Sequence, residues 1–185
     1  MAAPRKLSLG TALADIELFV LDVDGVLTQG GIEYSQSDTH TKSESKTFIA
    51  RDGFGIALWV KAGFKCAWCT GRGGGAVRRR AHELGVQLVS EGSKDKAADV
   101  RAIATELGVD LSRVAHMGDD WPDLAAFGVV GAAFAPADAD PHVRDRADYV
   151  TTAAGGRGAV REAIAMILDA KGMTEALLAE YTDPA

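Results

Sequence analysis

Of the 185 residues only two are cysteine and five proline, and aromatic side chains make up 6%. Basic residues are also short, 20 Lys and Arg against 26 Asp and Glu, for a formal net charge of −6. Two cysteines cannot staple a disulfide scaffold, and none is needed, because a chain of this size buries about 70% of its unfolded surface. An acidic chain has no basic face for phosphate backbones, and so few aromatics build no base-stacking platform, which excludes bulk nucleic-acid binding. No apolar run approaches the roughly 18–20 residues that cross a bilayer, so no membrane partner is expected. Arg5 and Lys6 are not followed by an apolar stretch, and no secretory signal is read there. What is present is 47% hydrophobic and 25% charged residues, the balance of a folded protein rather than a disordered one. A single soluble domain over residues 1–185, working in the cytoplasm, is expected.

Cys66 and Cys69 form a C-x-x-C, the spacing of a redox or metal pair. They fall in an apolar run, 64–69, that reads as a strand. Side chains three apart on a strand face opposite ways, and no second Cys or His cluster completes a metal site, so both are read as buried core thiols.

Apolar, β-branched runs alternate with segments of helical period. Strands are expected at 16–21, 64–69, 86–89, 114–117 and 149–150. Helices are expected from Asp52-Gly53 to Gly63, over 76–84, over 95–107, after Pro122, and over 158–170. Strands apolar on both faces, alternating with helices, are the mark of a parallel sheet covered on both sides: an α/β, Rossmann-like three-layer fold with a core of about 16–172. One insertion, about 30–50, lacks a helical period. Residues 32–34 and 46–49 read there as two strands of a β-hairpin joined by the polar stretch 35–45. Residues 173–185 read as a C-terminal helix and tail.

In an open α/β sheet ligands bind beyond the carboxyl ends of the strands. Four polar clusters each follow an expected strand: Asp22-Val23-Asp24-Gly25, Thr70-Gly71-Arg72, residues 92–96 ending in Lys96, and Gly118-Asp119-Asp120 with Asp123. Each alone could be an ordinary strand-end loop; together they unite acid clusters, a hydroxyl and a lysine at one edge. Those groups suit phosphoryl transfer. Carboxylates can hold a hard divalent cation, a carboxylate can attack phosphorus, and a second carboxyl two residues on can serve as acid and then base. A lysine, a hydroxyl and backbone N–H groups would stabilise charge on the transferring group. Asp120 reads equally as a support for the metal or as a helix N-cap. His40, His82, His116 and His142 lack metal-ligand spacing and are assigned no catalytic role. Among Arg78-Arg79-Arg80, a solvated helix face, only Arg80 is placed near substrate.

Asp22-Val23-Asp24-Gly25-Val26-Leu27-Thr28 resembles the first motif of the haloacid dehalogenase phosphatases, and Thr70, Lys96 and Gly118-Asp119-Asp120 resemble the other three. The resemblance implies Asp22 as nucleophile and Asp24 as general acid/base. It implies Mg²⁺ on the Asp22 carboxylate, the Asp24 main-chain carbonyl and Asp119. Thr70 and Lys96 would bind the phosphoryl group, with Asp123 in support. Arg51-Asp52-Gly53-Phe54-Gly55-Ile56, Thr70-Gly71-Arg72 and Gly155-Gly156-Arg157-Gly158-Ala159-Val160-Arg161-Glu162 resemble the 3-deoxy-D-manno-octulosonate 8-phosphate (KDO 8-phosphate) phosphatase subfamily. This implies a capless homotetramer whose hairpins and C-terminal segments complete neighbouring sites, acting on a sugar-acid phosphate in lipopolysaccharide precursor synthesis. Arg51, Gly71, Arg72, Arg80 and Arg157 would then contact substrate, Arg157 reading the sugar carboxylate. A phosphatase of nine-carbon, sialic-type acid phosphates is the near alternative. A signalling receiver domain is the distant one, disfavoured because a receiver lacks the second Asp beside its phosphoacceptor.

Overall fold

The computed structural model describes residues 13–36 and 42–182. Arg5, Lys6, His40, the tip of the 35–45 stretch and residues 183–185 lie outside the described residues.

Among the described residues six strands form one all-parallel sheet: β1 (Leu18–Leu21), β4 (Lys65–Thr70), β5 (Leu88–Glu91), β6 (Val114–Met117), β7 (Ala132–Ala135) and β8 (Tyr149–Val150). Their order is β5-β4-β1-β6-β7-β8. The chain winds outward from β1 through β4 to β5, then returns to the other side of β1 as β6. Adjacent strands β1 and β6 therefore flank the topological switch point, where loops part and leave a crevice.

Alternation within each strand builds the two cores. Phe19 and Leu21 pack with Trp59 and Ile56 of helix α1 (Ala50–Lys61), Val77 of α2 (Gly75–Glu83) and Ile164 of α6 (Ala159–Ala170). Leu18 and Val20 face the other way, onto Val100 and Ile103 of α3 (Lys96–Leu107) and Ala126 of the short α4 (Leu124–Phe127). The three layers expected from the sequence are thus present. Cys66 lies in the first core and Cys69 in the second, both unpaired, and burial pushes their thiols up to about 12 and about 11.

Three differences from the sequence reading are instructive. The hairpin strands are β2 (Glu33–Gln36) and β3 (Lys42–Ser45), not 32–34 and 46–49, paired antiparallel with Glu33 opposite Ser45. A two-stranded ribbon is held by backbone pairing rather than burial, so its polar strands carry no hydrophobic signal. Strand β7 was not anticipated. Its sequence, Ala-Ala-Phe-Ala, has low strand propensity and is recruited by parallel pairing to β6 in a fully buried setting. The four-residue α5 (Pro141–Arg144) was also missed; Asp140 caps it, with Pro141 in its first turn. The C-terminal helix α7 (Thr174–Thr182) leans on α1, where Tyr181 meets Phe54 edge-on at 5.6 Å and Glu180 pairs with Lys61.

Candidate active site

The four polar clusters meet beyond the carboxyl ends of β1, β4, β5 and β6 around a cavity of about 280 Å³. Asp22, Asp24, Asp119 and Asp123 line it together with Thr70, Gly71, Arg72, Ser93, Lys96, Asp120 and Pro122.

Asp22 continues β1 by one residue, its N–H donating to the Met117 carbonyl at 3.0 Å, so its side chain is held at the crevice by sheet geometry. Beyond it the chain turns sharply, with the Leu27 and Thr28 N–H groups both donating to the Val23 carbonyl at 3.0 Å. Gly25 sits in this turn at φ +89°, and a Cβ there would lie 2.0 Å from Asp119 Oδ2. Only glycine meets both demands. Gly118 meets the second demand alone: it makes room for Asp123, whose Cγ would be 2.1 Å from an added Cβ.

Lys96 is the first residue of α3, and the Asp95 carboxylate, accepting from the Ala98 N–H, caps that helix. The buried Lys96 ammonium lies 2.7 Å from Asp123 Oδ1 and 3.1 Å from Asp22 Oδ1. Asp123 also bonds His116 Nε2 at 2.8 Å, and His116 and Asp123 are both 0% exposed. Burial favours the neutral acid at Asp123, but His116 and Lys96 outweigh it and hold the carboxyl below its usual range. Asp22 goes the other way. Burial raises it, Lys96 opposes, and Asp123 adds to the rise. Asp119 is pushed up to about 8, by burial first and then by Asp22 and Asp123.

Asp22, Asp119 and Asp123 offer carboxylate oxygens within 4.8 Å of one another. Three carboxylates facing one buried lysine leave excess negative charge, which adds to burial in raising Asp119 above the ordinary value. An all-oxygen, hard donor set with that surplus fits Mg²⁺. Asp123 Oδ1 is shared by Lys96 and His116, whereas Asp22 Oδ1 meets Lys96 alone and at the longer distance of 3.1 Å, so Asp22 and Asp119 are the freer ligands. Asp120 caps the 3-10 turn Trp121–Asp123, accepting from the Trp121 N–H at 2.8 Å while Asp123 Oδ2 accepts from the Asp120 N–H, so the N-cap reading of Asp120 describes its contacts. Thr70 Oγ1 donates to the Arg72 carbonyl at 2.8 Å and accepts from the Arg72 N–H at 3.1 Å.

Three of the arginines singled out in the sequence do not line this cavity. Arg80 lies against Gly53 of α1 and pairs with Glu83 at 3.3 Å. Arg51 packs beside Gly158. Arg157 donates to Gln29 Oε1 at 3.1 Å, and Gln29 lines a second cavity, of about 320 Å³, at the hairpin base with Thr28, Glu33, Ser45 and Thr47. The loop that carries Arg157 is seated directly on the Asp22 turn. Gly156 N–H donates to the Val26 carbonyl at 2.8 Å, and a Cβ on Gly155 would lie 1.7 Å from the Gly25 carbonyl oxygen. Asp52 anchors the same loop from α1, its carboxylate accepting from the Gly158 N–H at 3.2 Å and the Arg161 N–H at 2.8 Å.

Two site residues escaped the sequence reading. His116 supports Asp123, and its signal was available: a lone polar side chain inside an apolar strand must have a partner. Lys46, whose ammonium contacts Asp24, had none, since no motif joins the hairpin to the β1 turn.

Residues 88–164 match the haloacid dehalogenase-like hydrolase family model. The chain is 38% identical over 160 residues to the KDO 8-phosphate phosphatase of Haemophilus influenzae, covering 86% of this chain and 87% of that one. It is 39% identical over 158 residues to the Escherichia coli K12 enzyme of the same name, covering 85% and 82%. Among solved structures, the Moraxella catarrhalis KDO 8-phosphate phosphatase, in complex with magnesium, phosphate and KDO, superposes with a TM-score of 0.87 at 36% identity, covering 94% of this chain and 97% of that one. Identity of this extent over nearly the whole of both chains places the protein in the KDO 8-phosphate phosphatase family of haloacid dehalogenase-like hydrolases, as a phosphoric monoester hydrolase.

Proposed function

We propose that this chain hydrolyses KDO 8-phosphate to KDO and phosphate with Mg²⁺ bound, as a capless domain over residues 1–185 whose core is about 16–172. The observation that carries this is the placing of the Asp22 carboxylate at the switch-point crevice, 3.1 Å from Lys96 and grouped with Asp119, with Asp24 two residues on. Asp22 attacks phosphorus in line, the alkoxide departs with a proton from Asp24, and the phosphoryl group is left on the Asp22 oxygen. Asp24, now ionised, takes a proton from the water that releases phosphate and restores Asp22. Lys96, with the Thr70 hydroxyl and nearby N–H groups, offsets charge on the transferring oxygens. Asp22, Asp119 and the Asp24 carbonyl would hold Mg²⁺, which supplies Lewis-acid stabilisation of the phosphoryl oxygens when bound. Asp123 keeps Lys96 aimed, and His116 keeps Asp123 aimed.

Gly71 and Arg72 border the phosphoryl end. We place Arg157 at the sugar carboxylate, with Arg51 and Arg80 supporting the loop and helix beside it. We place the enzyme in the cytoplasm as a homotetramer in which neighbouring hairpins and C-terminal segments complete each site. Support comes from large apolar side chains left exposed on the hairpin and the C-terminal face: Ile32, Tyr34, Phe54, Leu178 and Tyr181. No helix among the described residues is long and apolar enough to cross a membrane.

A steady-state panel tests the assignment: KDO 8-phosphate, nine-carbon keto-deoxy acid 9-phosphates and simple sugar phosphates, each with and without Mg²⁺. KDO 8-phosphate is expected to lead in kcat/KM by at least about tenfold, the discrimination worth ~1.4 kcal/mol, and to lose turnover with the metal. Preference for the nine-carbon acid would overturn the substrate, and metal-independent turnover the mechanism.

A further inference from the structure

Lys46 follows β3 at the base of the hairpin, yet its side chain is only 3% exposed. An ammonium taken so far out of water is tolerated only where it is paired. Its partners are Asp24 Oδ1, by a direct contact, and Glu44 Oε1 at 3.1 Å. Glu44 Oε2 continues to Arg72 at 3.2 Å, and the same Arg72 nitrogen donates to the Tyr34 hydroxyl at 2.8 Å. The Arg72 main chain in turn brackets Thr70 Oγ1. A continuous chain of charges therefore runs from the β1 turn, through the hairpin, to the loop after β4, along the rim of the catalytic cavity. With Oδ1 taken by Lys46, the other Asp24 oxygen, Oδ2, is buried and unpartnered. It is the atom available to carry and deliver a proton.

We propose that Lys46 is the positioning residue for Asp24: it fixes the orientation of the acid/base carboxyl and fastens it to the β2–β3 hairpin. The proposal rests on the reading of Asp24 as the group that protonates the leaving alkoxide. Lys46 contacts Asp24 through Oδ1 and leaves Oδ2, the oxygen assigned to proton delivery, free of it. Its contribution is geometric, and general acid catalysis, worth about 10²–10⁴-fold, is lost when the acid is misplaced by about 1 Å.

The test uses three monoesters whose leaving groups need a proton to increasing degrees: p-nitrophenyl phosphate, phenyl phosphate and an alkyl sugar phosphate. The constant kcat/KM reports the steps up to departure of the leaving group, so it isolates the acid role. In Lys46→Met the loss is expected to grow along the series, from under about 3-fold on the nitrophenyl ester to about 100-fold on the alkyl ester. Lys46→Arg, which keeps a cation on Asp24, is expected to recover most of it. A uniform loss across the three esters, or none, would overturn the proposal; so would a loss confined to the sugar ester, which would make Lys46 a substrate contact. Asp24→Asn is run beside it. If that variant shows no graded loss, the acid/base reading of Asp24 fails and takes the proposal with it. If it does while Lys46→Met does not, the proposal alone fails. Should Lys46→Met not fold, Glu44→Gln releases only the outer end of the lysine and carries the same comparison: a graded loss supports the tether, and a uniform or absent one overturns it.

Discussion

Asp22 and Asp24 differ by two residues and by everything around them. Asp22 is tied to the sheet and pressed against Lys96, while Asp24 stands on the far side of the turn, bonded to Lys46. On the proposed mechanism, replacing Asp22 with Asn removes the carboxylate that attacks phosphorus while keeping the side chain's shape. Turnover is expected to fall to background, and a beryllium fluoride adduct, seen in wild type by fluorine NMR, is expected to disappear; residual turnover within tenfold of wild type would rule out the covalent route. Asp119 yields a second expectation. Its metal-free carboxyl titrates near 8, against roughly 3.9 in an unfolded chain. Between those values the folded protein keeps a proton on Asp119 that the unfolded chain has released, so the contribution of Asp119 to metal-free stability falls as pH rises from about 4 to about 8. Mg²⁺ must displace that proton. The rise in Tm on adding Mg²⁺ is therefore expected to grow from pH 6 to pH 8, and a constant rise in scanning calorimetry would refute the charge-surplus account.

Among the elements, the joint between α1 and α6 shows what the Arg51-Asp52-Gly53-Phe54-Gly55 motif does. Asp52, 1% exposed, satisfies two N–H groups at the start of α6, and Gly55 lets that helix approach so closely that an added Cβ would meet Arg161 at 3.1 Å. Removing the carboxylate in Asp52→Ala strands both donors and is expected to cost about 1–3 kcal/mol in urea unfolding. A change below about 0.5 kcal/mol would show the cap to be dispensable. The element scale also shows what the sequence could and could not reveal. Asp22, Thr70, Lys96 and Asp119 were legible because each lies just past an apolar run, where the sheet forces loops to converge. The polar strands β2 and β3 and the alanine-rich β7 were not, because pairing and burial, rather than propensity, make them strands. Lys46 was illegible for a related reason: its partner Asp24 is 22 residues away, across the hairpin.

At the scale of the whole molecule, the loop of Gly155 to Gly158 is pressed backbone to backbone on the Asp22 turn, and it sets Arg157 beside Gln29 rather than inside the cavity lined by Asp22 and Lys96. A residue so placed can read the far end of a long substrate. Arg157→Ala is expected to lower kcat/KM for KDO 8-phosphate by at least about 10²-fold while changing p-nitrophenyl phosphate less than about 3-fold, the scale of one lost charge-assisted pair. Equal losses would remove it from carboxylate recognition. The exposed apolar residues of the hairpin and C-terminal face carry the assembly expectation, four copies by light scattering, and a monomer would leave the site complete without neighbours.

Cys66 and Cys69, sealed in opposite layers of the sheet, make the protein its own denaturation gauge. Neither thiol can meet a colorimetric disulfide reagent until the layer above it lifts away, so the labelling rate of each sulfur clocks the opening of one side of the sandwich. Comparing single-cysteine variants would tell whether the two layers part together or in turn.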